Sequence, residues 1–201
     1  LDGMLPKLLN KALEVANDAD AILNLCYDWL PLWLTPHVEA KIFHLISMAG
    51  ESKVMEEAIK NLSLSHHSRL GFHTSRQASD FELKGDPKVL GNGLDLKNYN
   101  FQLTQHGPLG WAGRVAPEKG LEDAAKVADS LGDNLLVWGF IENEEYASHI
   151  ENLVSPGTIQ WRGFLGTNEF QNQLGVCRAL INTPKWNEAY GNVVVEAMAC
   201  G

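Results

Sequence analysis

Positive charge is in short supply here: 16 lysines and arginines stand against 25 aspartates and glutamates, a formal net charge of −9. Such a surface carries no electrostatic footprint for a polyanionic backbone, which argues against nucleic acid as a partner. An anionic ligand would have to be held by a few local cations. Cysteine is scarce and odd in number (Cys26, Cys177, Cys200), always in apolar context and without metal-ligand spacing. That excludes a disulfide framework and predicts reduced thiols in a cytoplasmic protein, packed as small core residues. No uncharged apolar run approaches the roughly 18 residues of a membrane span, and no secretory apolar segment opens the chain. Integral membrane association is therefore not expected. Repeats and low-complexity stretches are missing too. So is G-x-G-x-x-G, whose absence argues against a dinucleotide-dependent oxidoreductase.

What is present is ordinary globular material, 201 residues of which 45% are hydrophobic, arranged as alternating strands and helices. LPKLLNKALEVAND places Leu5, Leu8, Leu9, Ala12, Leu13 and Ala16 on one helical face. AILNLCY, AKIFHLI, SRLGFHTS and KVLGNGLD read as strands, the third leading into a helix near Arg76. YDWLPLWL, broken by Asp28 and Pro31, reads as core or interdomain surface. Periodicity is lost over NYNFQLTQHGP, which places a domain boundary at 104/105, giving domains 1–104 and 105–201. Beyond it LGWAGR, NLLVWGF, TIQWRGF and CRALINTP read as strands, with helices between them and a last helix after Gly191. This pattern predicts an α/β fold with parallel sheets, whose ligands sit at the carboxyl ends of the strands.

Two stretches fall at such ends. GRVAPEKG (Gly113–Gly120) puts Arg114 at the end of a strand and Lys119 at the mouth of the next helix. Two cations beside free backbone N–H groups make an anion site suited to a phosphate or diphosphate. The alternative is a solvated loop in which Glu118 neutralises the pair, and these residues alone leave both open.

NEAYGNVVVEAMACG (Asn187–Gly201) puts Glu188 on a loop, Asn192 at the N-cap of the last helix, and Glu196 at the end of its first turn. The amides of Val193, Val194 and Val195 are then expected to point above the sheet. A carboxylate among valines is costly unless hydrogen-bonded, and a ribose diol would supply two donors. The competing account is a Glu that favours the helix dipole by roughly 0.3–1 kcal/mol, which leaves Glu188 unexplained.

In combination, Gly-Arg followed by Lys-Gly and Glu-x7-Glu resembles the C-terminal domain of the retaining glycosyltransferases of family 4. HTSRQASDF and VLGNGLD resemble parts of the N-terminal domain, so the resemblance runs from about Ala21 to Gly201. It implies the GT-B fold of two Rossmann-like domains, with both expected to be partial in this chain. The sequence has neither the Gly-rich loop of the first domain nor the Gly-x-Pro continuation after Cys200-Gly201.

The resemblance further implies that Arg114 and Lys119 bind the donor diphosphate and stabilise the leaving phosphate. Glu188 would contact the transferred sugar, helped by backbone amides of Gly191, Asn192 and Val193. Glu196 would hold the ribose, and backbone at Arg162 and Gly163 would line the base. His44 is the candidate for a histidine near the sugar, against the plain reading of a hydrogen-bonded core histidine.

The donor expected is a nucleotide sugar, UDP-glucose above others, and the acceptor a small molecule or a glycan. YDWLPLWLTP with HLISMAGES resembles a subgroup that glucosylates pterin-type acceptors, and Trp29 and Trp33 would suit stacking on a flat ring. No metal or other cofactor is expected, since the one Asp-x-Asp, Asp18-Ala19-Asp20, reads as a solvated turn. A GT-B nucleotide-sugar epimerase and a non-catalytic nucleotide-sugar-binding protein are the rival readings.

Overall fold

The computed structural model describes residues 4–50, 52–103 and 106–201. They form two compact units, Leu1–Asn92 with Asn187–Tyr190, and Gly93–Trp186 with Gly191–Gly201. The sequence put the division at 104/105, a pair outside the described residues. Segment 93–103 groups with the second unit because its polar groups are bonded there. The Gln102 amide donates to the Cys200 carbonyl at 2.9 Å and the Tyr99 hydroxyl to Glu196 at 3.4 Å.

The first unit is a parallel sheet in the order β1-β2-β3-β4, made of β1 (Ile22–Asn24), β2 (Ile42–Ile46), β3 (Leu70–Phe72) and β4 (Lys88–Val89). Its helices are α1 (Met4–Val15), α2 (Trp29–Leu34), α3 (Lys53–His66) and the single turn α4 (Ser75–Ala78). The four expected strands all form, shorter than their apolar runs.

Two helices were not foreseen. YDWLPLWL folds as α2 because Asp28 caps it, accepting from the Leu30 amide at 2.8 Å, and because proline is tolerated in a first turn. α3 buries Met55, Ile59 and Leu62 at helical spacing against Leu32, Ile46, Leu70 and Phe72. The face expected of α1 is not buried as a whole: Leu8 is 57% exposed. Residues 187–190 join this unit through the Thr74 hydroxyl, which donates to the Ala189 carbonyl at 3.0 Å.

The second unit is also a parallel sheet, in the order β7-β6-β5-β8: β5 (Leu109–Ala112), β6 (Leu135–Trp138), β7 (Ile159–Gly163) and β8 (Ala179–Leu180). Its helices are α5 (Leu121–Leu131), α6 (Glu144–Leu153), α7 (Thr167–Leu174) and α8 (Asn192–Cys200). The chain passes from β5 to β6 on one side and later returns to β8 on the other, so β5 is where the strand order reverses. In open α/β sheets that is the place for a ligand.

One face of the sheet packs on α5 and α6. Leu121, Ala124, Ala125 and Ala128 of α5 are fully buried, and the alanines let the helix approach Trp111, Leu135 and Val137 closely. Each such large apolar side chain contributes roughly 1.5–3 kcal/mol on burial. Leu136, Trp138, Leu174 and Cys177 form a smaller cluster elsewhere in the unit. Cys177 and Cys200 are buried as expected, but Cys26 is exposed. It stands past the end of β1 in irregular backbone, where its amide donates to the Asn24 side-chain oxygen at 3.2 Å.

Among the described residues no helix is long and apolar enough to cross a membrane.

Candidate functional site

The carboxyl ends of β5 and β6 are drawn together by two glycines. Gly139, just after β6, has φ +139°, and a Cβ there would stand 1.8 Å from the Gly113 carbonyl oxygen. Only glycine permits both that dihedral and that approach. The Gly113 amide donates to the Trp138 carbonyl at 3.0 Å and the Gly139 amide to the Gly163 carbonyl at 2.9 Å, so three strand ends are tied in register. Trp138 is further fixed by its indole N–H, which donates to Gln173 at 3.1 Å.

Above these ends lies a cavity of about 320 Å³ lined by Ala112, Gly113, Arg114, Trp138, Gly139, Phe140, Phe164, Leu165, Phe170 and Val193. All belong to the second unit. The cavity is apolar except for Arg114, and its rim holds two aromatic rings in solvent, Phe140 at 66% and Phe164 at 83% exposed. An apolar hollow with one convergent charged group at a strand-order reversal is the usual form of a small-molecule site.

Arg114 is held by two carboxylates, Glu118 at 2.9 Å and Glu142. All three side chains remain a third or more exposed, so these ion pairs contribute at most about 1 kcal/mol each and can exchange for a ligand anion. Lys119 stands with its ammonium 4.5 Å from the centre of the Trp186 ring, a cation–π contact. Lys119 therefore does not line the cavity with Arg114. Gly120 (φ +65°) precedes α5 and lies so near the Thr183 carbonyl that a Cβ would come to 2.0 Å. The Lys185 ammonium pairs with Glu122, which also accepts from the Tyr146 hydroxyl.

The last helix departs from expectation at its cap. Gly191, with φ +83°, is the N-cap, and Asn192 is the first helical residue. A left-handed backbone favours glycine there over asparagine. The amides of Val194 and Val195 both turn back to the Gly191 carbonyl, at 3.1 and 3.4 Å, so they do not point above the sheet. Val193 does line the cavity.

Glu196 is half-buried, and loss of hydration raises its carboxyl above the usual carboxylate range, opposed by the bond from Tyr99. Tyr99 lies in the stretch taken from the sequence for a boundary, and its hydroxyl is in turn raised by burial and by the Glu196 charge. At the end of β7, the Arg162 guanidinium donates to Gln173 at 3.4 Å and Gly163 pairs with Gly139. It is the next two residues, Phe164 and Leu165, that line the cavity.

No family model and no curated protein matches the sequence, whereas solved structures do match the chain. Sucrose-phosphate synthase from Thermosynechococcus elongatus matches at a TM-score of 0.78 and 16% identity, over 98% of this chain and 58% of that one. AviGT4, a glycosyltransferase involved in avilamycin A biosynthesis, matches at 0.59 and 24% identity, over 64% of this chain and 41% of that one. WaaG, a glycosyltransferase involved in lipopolysaccharide biosynthesis, matches at 0.57 and 16% identity, over 86% and 60%.

The fold is of the GT-B type. The chain spans about two fifths to three fifths of the length of these three structures.

Arg114 and Val193 are the sequence-predicted residues that this GT-B fold brings to one cavity. Glu188 lies in the short segment that groups with the first unit. His44, the candidate for a histidine near the sugar, is packed inside the first unit. It sits within β2 at 2% exposure, with Nδ1 against the Asn24 amide at 3.0 Å and Nε2 against the Thr35 hydroxyl at 2.7 Å. Burial, with Arg69 nearby, lowers its pKa to about 4, so the ring stays neutral.

Phe140 and Phe164 were missed, although a signal was there: both strands end in Gly-Phe, and an aromatic just past a strand end lands where ligands bind. Among the described residues no group of three or more histidine, cysteine or carboxylate side chains could hold a metal ion.

Proposed function

We propose that the chain is the nucleotide-sugar-binding part of a retaining hexosyltransferase, with UDP-glucose as donor and a small molecule or a glycan as acceptor. One observation carries this reading: the apolar cavity at the strand-order reversal has Arg114 as its single cation and the start of α8 in its wall. A donor diphosphate would take the place of Glu118 and Glu142 on the guanidinium. The Val193 amide, near the positive end of the helix dipole, would face the same charge.

In the reaction, the bond from the anomeric carbon to the phosphate oxygen breaks as the acceptor oxygen approaches the same face. The leaving diphosphate takes the acceptor's proton. Arg114, with Lys119 once freed from Trp186, would stabilise the charge that builds on that leaving group. Glu188 and the backbone of Gly191 and Asn192 would meet the sugar hydroxyls. Glu196 would exchange its bond from Tyr99 for a ribose diol, which relieves the cost of holding a carboxylate among valines. Phe164 would offer a flat face to the base beside Arg162 and Gly163. No metal is assigned, because the two cations do the neutralising. Free thiols at Cys26, Cys177 and Cys200 fit a reducing compartment, and we place the protein in the cytoplasm.

Calorimetric titration with UDP, GDP and ADP tests the donor. UDP is expected to bind, and Arg114→Ala and Glu196→Ala are each expected to weaken it by about 1–3 kcal/mol. Unchanged binding in both variants removes the assignment. Turnover of UDP-glucose with a pterin and with an oligosaccharide as acceptors then decides the acceptor class. Consumption of the donor with no acceptor present would point to the epimerase instead.

A further inference from the structure

The first unit carries a second hollow, separate in composition from the one above β5. It lies between α2 with the turn that follows it and α3, has a volume of about 350 Å³, and is open to solvent. Its size is at the lower end of the ~300–1,000 Å³ typical of small-molecule sites.

Its two walls differ. On one stand Trp29 and Trp33, one helical turn apart and 46% and 56% exposed, with His37 packed on the Trp33 ring at 4.8 Å between centroids. On the other, Glu57, Asn61 and Ser65 of α3 follow one another at single-turn spacing, all exposed. Val54, Ala58 and Leu62, at the same spacing, supply the apolar side of α3. Large apolar rings left in water beside a column of hydrogen-bonding groups are costly unless a ligand covers them.

We infer that this groove between α2 and α3 binds a neutral oligosaccharide of two or three residues. A sugar ring has apolar C–H faces that stack on indole and a rim of hydroxyls that donates to carboxylate and amide oxygens. The polar column, from Glu57 to Ser65, extends roughly 12 Å along the helix. That is more than one flat heterocycle can use, and it offers a bonding group at each turn to successive rings. Charge decides the rest. No lysine or arginine lines the groove and Glu57 does, so a phosphorylated sugar or a nucleotide is disfavoured there.

The site does not depend on the transfer reaction proposed above, and its test is independent of a donor. The whole chain is titrated with maltotriose, cellotriose and chitotriose, and with pterin and inorganic phosphate as comparators, by calorimetry and saturation-transfer NMR. At least one trisaccharide is expected to bind, with Trp33→Ala weakening it by about tenfold or more and Glu196→Ala leaving it unchanged. Trp33 is exposed, so its replacement should preserve the fold, and far-UV circular dichroism checks this. Asn61→Leu, which keeps the groove's volume, is expected to weaken binding several-fold. The inference is overturned if no trisaccharide binds, if binding survives Trp29→Ala and Trp33→Ala, or if pterin or phosphate binds there instead. Loss of UDP binding in Glu196→Ala with trisaccharide binding intact separates this site from the nucleotide site.

Discussion

The polar groups of the two sheets are treated in opposite ways. In the first unit His44 is sealed within β2, with both ring nitrogens taken by Asn24 and Thr35. In the second, Arg114 stands past the end of β5, held by Glu118 and Glu142 in contact with water. A ring buried as His44 is cannot readily trade its partners, because an unmatched buried donor or acceptor costs about 1–3 kcal/mol. A guanidinium in exposed ion pairs can trade at almost no cost. Polarity alone therefore does not mark a site; exchangeable partners at a strand end do.

That contrast can be broken at three points. The largest effect is expected at Gly139, on which the strand ends beneath Arg114 depend. Gly139→Ala would combine a strained φ with a Cβ 1.8 Å from a backbone oxygen. A loss of roughly 3–5 kcal/mol in denaturant unfolding of the second unit is expected, with UDP binding lost as well.

Next comes His44. Its folded pKa of about 4 lies below the ordinary 6.5, so the unfolded chain takes up a proton first as pH falls. Stability is fully present above pH 6.5 and is lost progressively as pH falls toward 4, by roughly 3 kcal/mol. His44→Gln, which cannot ionise, should flatten that slope in urea titrations across this range. A slope unchanged by the substitution would return the histidine to solvent.

The smallest effect is expected at Glu142. Glu142→Gln should change stability by less than about 1 kcal/mol, since the pair is exposed. It should nonetheless tighten UDP binding by a few-fold, because one competitor for the guanidinium is gone. Weaker binding would mean that the carboxylate positions Arg114 and is not displaced.

How far the site could be read beforehand varied with the kind of residue. GRVAPEKG and the helix after Gly191 were legible, because glycine and charge at a strand-to-helix turn are local features. Tyr99 was not, since its bond to Glu196 joins residues far apart in the chain and sits in a stretch with no periodicity. α3 was overlooked although Met55, Ile59 and Leu62 repeat at helical spacing. α2 was obscured by Pro31, which a first turn accepts. For His44 the apolar strand around it was visible, but its two hydrogen-bond partners lie on other elements.

The order of strands and helices, the turns that need glycine, and the surplus of negative charge follow from the sequence alone, because each depends on neighbours within a turn or a pleat. Which groups share a cavity, and which polar side chains are already satisfied, depended on packing between distant segments. That is why Arg114 and Val193 emerged as lining one hollow, Trp33 and Asn61 another, and His44 neither.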